Sequence, residues 1–302
     1  MEQGSTRPSA LTDAAYWDGY WDRVSLPKEH QRTPRAYYLN AILDVFDRFL
    51  PTDASLTAVE VGGAPGQYLA YIHRTFGYRI TCIDYSAIGC RKTSENFRLL
   101  GIAGEVIHAD LMTEKAELTT FDVVYSLGLI EHFVDRRSVV ERHVRLVRPG
   151  GLLVLGVPNF RGPTGWFLRT LAPRVYATHE IQAMDLDGWR EFEEAFGLEV
   201  LWKDYVGGFE PSIFARREDE RPGTLIPYLL ARALKLLLSR RLGFLRRING
   251  PRWSGYAMAV YRVGEDGELP GRARARTPPD SARPPSRRPA CGTRPTPRSW
   301  PR

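Results

Sequence analysis

The stretch AVEVGGAPGQYLAYIH, Ala58 to His73, decides the fold. A short β-branched run ends in two glycines and a proline, and a helical pattern resumes at Gln67. Strand, tight turn and helix in that order predict a βα unit. Gly62 and Gly66 remove Cβ atoms where strand becomes helix, so the backbone there is open to close approach by a ligand.

Outward from this unit, short strand-like runs recur at 79–83, 105–108, 122–126, 152–157, 199–203 and 256–262. Helical patterns fit between them: 67–76 with Gly77 beyond its end, 87–100 with Ser86 as cap and Gly101 as stop, and 136–147 before Pro149 and Gly150. Such alternation predicts an α/β fold, doubly wound, with a mostly parallel seven-stranded sheet and helices on both faces. The direction of the last strand stays open, because a long helical pattern, TLIPYLLARALKLLLSRRLGFLRRI, separates it from its predecessor. Residues 1–54 form an aromatic-rich helical segment, which either packs on the sheet or covers the site. Residues 55–263 form the main domain, with insertions at 158–197 and 206–254.

The 302 residues carry a net charge of +7, but nine arginines against four acids between Gly264 and Arg302 account for five of those charges. The rest of the chain is too nearly neutral to predict a basic groove, so nucleic acid is not expected as a partner. The tail 264–302, rich in Pro, Arg and Ser, reads as disordered. No apolar run reaches the roughly 20 residues that span a bilayer, and a cytoplasmic location follows as the expectation. Cys82, Cys90 and Cys291 are odd in number and lack metal-ligand spacing, so they read as free thiols, and no metal site is expected.

The opening turn also limits its ligand. Its glycines do not follow GxGxxG, and the chain has no GxxxxGK[ST], which disfavours dinucleotides and removes the P-loop reading. Glu60, a carboxylate inside the first strand, would repel a phosphate at that mouth. S-adenosylmethionine fits better, since it carries a sulfonium, an α-amino group and a ribose, and no phosphate.

At this point the chain resembles the class I S-adenosylmethionine-dependent methyltransferases of the small-molecule type. VEVGGAPG is similar to their first motif; ITCIDYS, VIHADL, FDVVYSLGLIEHF and LVRPGGLLVLGVPN resemble the second to fifth, in order across residues 55–205. The resemblance implies a Rossmann-like fold and S-adenosylmethionine as cofactor. It places Asp84, 24 residues beyond Glu60, on the ribose hydroxyls and Asp110 at the adenine amine. With their neighbours, the implied cofactor set is Glu60, Gly62, Gly66, Asp84, Tyr85, Asp110, Leu111 and Ser126. The APG turn is also similar to ribosomal-RNA ribose methyltransferases, but no lysine of this chain matches a position in their catalytic set.

The sulfonium activates its own leaving group, so the protein must align the acceptor and exclude water; a hydroxyl acceptor benefits from a base. His132 in GLIEHF and His179 in THEI are the base candidates, with cofactor-pocket lining and a structural role as alternatives. Trp166, Phe167, Tyr176, His179 and Glu180 are candidates for shaping an acceptor pocket, although core packing is the simpler reading of Trp166 and Phe167. In the long helical pattern, Arg232, Lys235, Ser239 and Arg246 share one face and Ile226, Leu230, Leu234 and Leu237 another. It reads as a cap over the acceptor, a peripheral membrane contact over 225–248 at the inner membrane face, or a dimer contact. The expectation is methyl transfer to a small or lipid-attached acceptor, with oxygen ahead of nitrogen or carbon. The alternatives are an RNA methyltransferase using the basic tail and a non-catalytic S-adenosylmethionine-binding module; the oligomeric state is left open.

Overall fold

The computed structural model describes residues 10–33, 37–113, 119–214, 222–240 and 248–264. Helices α1 (Ala14–Asp22) and α2 (Tyr37–Phe49) precede the alternating part, which runs β1 (Thr57–Val61), α3 (Gln67–Phe76), β2 (Arg79–Asp84), α4 (Ala87–Leu100), β3 (Gly104–His108), β4 (Phe121–Leu127), α5 (Arg136–Leu146) and β5 (Val147–Pro158). Helices α6 (Gly162–Leu171), α7 (Pro173–Ala177) and α8 (Arg190–Phe196) then lead to β6 (Glu199–Val206), α9 (Leu225–Arg240) and β7 (Tyr256–Arg262). The sheet order is β3-β2-β1-β4-β5-β7-β6, parallel as far as β5. The fold is the Rossmann-like, doubly wound, mostly parallel seven-stranded sheet that the alternation predicts.

Strand β7 runs antiparallel to both its neighbours and separates β5 from β6. Composition explains the placement: YAMAVYR is buried almost throughout, as an interior strand must be, whereas EVLWKDYV alternates polar residues and takes the edge. Strand β5 begins at Val147, earlier than the sequence predicts. Val147 pairs with Phe121, and the turn at Gly150–Gly151 exchanges backbone bonds with Val263.

Helices α3 and α4 start and stop where their cap residues predict: Ser86 accepts from the Gly89 amide, and Gly77 and Gly101 close the two C-termini. The N-terminal segment divides. Helix α2 buries Ile42, Leu43, Val45 and Phe46 against the sheet, with Phe46 edge-on to Tyr125 at 5.4 Å. Helix α1 has no buried residue and stands over the carboxyl ends of the strands. It is tied down at both ends. The Leu11 amide donates to the His132 carbonyl, and Asp18 accepts from the Ser86 hydroxyl and the Ile88 amide at the start of α4. A Cβ on Gly89 would lie 2.9 Å from the Trp21 ring, so α1 needs a glycine beneath it.

Buried Asn96 staples the strap after α1 to the glycine turn. It donates to the Lys28 and Pro65 carbonyls at 2.8 and 2.9 Å and accepts from the Lys28 amide at 2.7 Å. Asn96→Ala is therefore expected to cost about 2–4 kcal/mol, because it strands these backbone groups. Calorimetric unfolding reads the loss; a cost below about 0.5 kcal/mol would show that the staple contributes little.

Helix α9 does not line the central cavity. It buries Ala231 and Leu238 against α6 and leaves Leu225, Ile226, Leu229, Leu230, Leu236 and Leu237 exposed. The expected apolar face at 226, 230, 234 and 237 is thus not the one that packs, apart from half-buried Leu234. Arg246 and the tail from 265 to 302, with the electrostatic role weighed for it, lie outside the described residues, as does Cys291. Cys82 and Cys90 are free, buried thiols.

Candidate active site

A cavity of about 510 Å³ opens where the strand order reverses, between β1 and β4, as expected for an open parallel sheet. Its floor is the glycine turn. The Gly62 amide donates to the Ile83 carbonyl at 2.7 Å, which ties the ends of β1 and β2 together. Gly62 has φ +70°, and a Cβ there would come 3.0 Å from Leu129; a Cβ on Gly63 would lie 2.7 Å from Glu60 Cγ. The bare backbone is thus required by the packing of the turn itself.

Two carboxylates face this floor. Asp84, 5% exposed, accepts the Ala64 amide on one oxygen at 3.2 Å and the Ser86 amide on the other at 2.9 Å. Burial pushes its carboxyl up to about 6, outweighing those bonds. Glu60, 3% exposed, accepts from the Tyr125 hydroxyl at 3.0 Å, and burial pushes it up to about 8. Among the described residues, no Lys or Arg lines the cavity. The donor set therefore suits a ligand with ammonium, sulfonium or hydroxyl groups and does not suit a phosphate. S-adenosylmethionine meets that test.

Of the residues the sequence marks for the cofactor, Glu60, Gly62, Asp84 and Tyr85 line the cavity, whereas Gly66, Asp110, Leu111 and Ser126 do not. Gly66 begins α3 with φ +80° and lies against Phe97 and Thr93 of α4, so its glycine serves helix packing. The Asp110 carboxylate accepts from the Met112 amide within its own turn, half-buried Leu111 packs on the core, and Ser126 is buried within the sheet.

His132 and His179, 47 positions apart in the chain, meet at the other end with ring centroids 4.5 Å apart. His132 Nδ1 lies 2.7 Å from the Thr178 carbonyl, and His179 Nδ1 lies 2.7 Å from the Val175 carbonyl. A carbonyl only accepts, so each Nδ1 carries the hydrogen and each Nε2 keeps its lone pair. Burial pushes the two rings down to about 4 and about 3, so both are neutral near pH 7. Beside them Glu131 is buried, and neither of its carboxyl oxygens has a hydrogen-bond partner.

The remaining walls are apolar. Helix α1 supplies Tyr16, Trp17, Tyr20 and Trp21, with Trp17 edge-on to His132 at 5.0 Å. The insertion supplies Leu168, Ala172 and Val175, and the turn after β6 supplies Ile213 and Phe214. Here the expected acceptor set needs correction. Trp166 is 47% exposed, Phe167 stacks on Phe214 in the core at 4.4 Å, and Tyr176 and Glu180 do not line the cavity; only His179 of that set does. The 3- and 4-residue spacing of Leu168, Ala172, Val175 and His179, carried across α6 and α7, is the signal in the sequence that would have found the cavity-facing side of the insertion.

Residues 59–155 match the family model described as a methyltransferase domain. The 27-O-demethylrifamycin SV methyltransferase of Amycolatopsis mediterranei is 26% identical over 60% of this chain and 65% of its own length. An uncharacterised methyltransferase of Mycobacterium tuberculosis is 30% identical over 41% of this chain and 66% of its own. The match thus spans just under two thirds of these relatives. Among solved structures, the [4+2]-cyclase SpnF superposes with a TM-score of 0.52 at 16% identity, covering 86% of this chain and 97% of that one. Phosphoethanolamine N-methyltransferase 2 of Haemonchus contortus, solved with phosphomonomethylethanolamine and S-adenosylhomocysteine, gives 0.52 at 13% identity over 74% and 52%. At these identities the structural likeness is one of fold.

Proposed function

Because the chain belongs to the class I S-adenosylmethionine-dependent methyltransferases, we propose that it transfers a methyl group from that cofactor to an oxygen of a small or lipid-attached, largely apolar acceptor. When bound, the cofactor supplies a methyl group on a sulfonium, already activated for displacement. Glu60 would accept from its α-amino group, Asp84 would accept from its ribose hydroxyls, Tyr85 would help hold it, and the bare backbone of Gly62 and Gly63 would let it lie against the turn. The aromatic roof from α1 excludes water. At the far end the Nε2 lone pairs of His132 and His179 serve the acceptor hydroxyl, whose proton must leave as the new O–C bond forms and the C–S bond breaks.

The observation that carries this reading is one cavity with two buried carboxyl groups at the strand ends and two neutral imidazoles opposite, joined by apolar walls. Oxygen is favoured over nitrogen because a hydroxyl is the acceptor that needs these lone pairs. Relatives named as a rifamycin O-demethyl-product methyltransferase and an O-methyltransferase of Pyrenophora dematioidea support the same choice. The exposed leucines of α9 support a lipid-attached acceptor reached at a membrane surface, and no described helix is long and apolar enough to cross one.

Isothermal titration with S-adenosylmethionine, followed by transfer of labelled methyl to a panel of apolar phenols and the matching anilines, tests the proposal. Saturable binding and labelled ethers are expected. A folded protein that binds no cofactor, or one that labels only the anilines, would overturn it.

A further inference from the structure

Glu131, His132 and His179 have one feature that cofactor binding leaves unexplained. Their donor atoms all lie within 4.8 Å of one another, and His132 Nε2 is 3.8 Å from Glu131 Oε1. Both carboxyl oxygens of Glu131 are buried without a hydrogen-bond partner. A protonated carboxyl would not resolve this, since its O–H would still lack an acceptor. Burying such a group unpaired costs several kcal/mol in general, so a partner outside the described residues is implied.

The surroundings are arranged as they are around metal ligands. Each imidazole donates Nδ1–H to a backbone carbonyl, Thr178 for His132 and Val175 for His179, which fixes the ring and leaves Nε2 as the free ligand atom. The two segments are clamped together, because the Glu180 amide donates to the Glu131 carbonyl at 2.7 Å. The Leu11 amide holds the His132 carbonyl at 2.8 Å from the opposite side. Ligand bonds of about 2.1 Å need donors about 3.4 Å apart around a tetrahedral ion, so donors within 4.8 Å of one another draw in when it binds.

We propose that Glu131, His132 and His179 bind one divalent transition-metal ion, zinc or another ion that accepts imidazole, and that its open position faces the cavity. Two imidazoles and one carboxylate exclude magnesium and calcium, which take oxygen ligands. The position beyond the three ligands meets the space assigned to the acceptor, so this part rests on the reading of the cavity given under Proposed function. There the ion takes the acceptor oxygen in place of direct contact with the imidazoles. The acceptor's O–H proton passes to bulk water, the oxygen bonds the methyl carbon as the carbon–sulfur bond breaks, and the products are the methyl ether and S-adenosylhomocysteine.

Cobalt(II) titrated into the chelator-stripped full chain, without cofactor or acceptor, tests the site. One equivalent should bind with visible bands of histidine ligation, and zinc should displace it. Glu131→Gln and His179→Ala should each weaken cobalt binding at least about a hundredfold while leaving S-adenosylmethionine affinity intact. His179 is only partly buried, so its variant keeps the test open if Glu131→Gln does not fold. Acetohydroxamate, an oxygen chelator, should shift the bands. Absence of the bands in folded protein, or equal binding by wild type and variants, would overturn the site; bands unmoved by acetohydroxamate would overturn the open position. Metal binding without any S-adenosylmethionine binding would sink the methyltransferase reading and spare the metal site.

Discussion

Asp84→Ala is expected to weaken S-adenosylmethionine binding by roughly a hundredfold or more, with the protein still folded. A buried carboxylate that accepts from two ribose hydroxyls makes two charge-assisted bonds, each of about 1.5–3 kcal/mol. Losing both corresponds to about two to four decades in Kd. The fold should survive, because among the described residues the Asp84 carboxylate is bound by the Ala64 and Ser86 amides, its backbone bonds to Ala109 and Cys90 are kept in alanine, and Ser86 is independently engaged with Asp18 and Gly89. Titration calorimetry decides it: a loss below about threefold would remove Asp84 from the cofactor site.

The same residue predicts a pH dependence. Burial raises its carboxyl from the usual value to about 6, against the backbone bonds and the nearby His108, while Asp18 pushes in the same direction as burial. Glu60, the other acid facing the turn, is raised further, to about 8, and so is largely protonated near pH 6. In the proposed role only the ionised form of Asp84 would accept both ribose hydroxyls, so affinity should be level above its pKa and fall about tenfold per pH unit below it. The slope should vanish in Asp84→Ala. A wild-type affinity flat from pH 7 to 5 would contradict this.

Gly66→Ala should be strongly destabilising. An L-residue at φ +80° costs about 1–2 kcal/mol, and the new Cβ would lie 2.6 Å from the Phe97 ring and 2.9 Å from Thr93, where overpacking costs about 1–3 kcal/mol more. A total of about 2–5 kcal/mol lowers Tm by roughly 10 °C in a domain of this size. Gly101→Ala is the control: it shares the left-handed conformation, at φ +66°, but nothing lies within 4 Å. Its cost should be the backbone part alone. Equal losses in the two variants would show that contact with α4 is not what requires glycine at Gly66.

Much of the site was legible because its signals are local. Glu60 and Asp84 end adjacent strands, and the glycines between strand and helix announce a turn that a ligand approaches. Gly66 shows the limit of that logic: the sequence marks it for the ligand, yet Phe97, 31 residues on, decides its role. Trp166 and Phe167 show another. Aromatic residues in an insertion suggest a pocket, but Leu168 of α6, Ala172 at its end and Val175 of α7 are the residues turned toward it.

By itself the sequence determined the alternation of strands and helices, their caps and the carboxylates at two strand ends. These depend on periodicity of 2 or 3.6 residues and on backbone sterics within a few positions. Tertiary structure alone decided that β7 enters between β5 and β6, that α1 roofs the cavity, and that His179 comes to rest beside Glu131 and His132. Each of these brings together segments dozens of residues apart. Which surfaces meet is then set by burying the most apolar area with every buried polar group paired, a condition on the whole chain that no local pattern records.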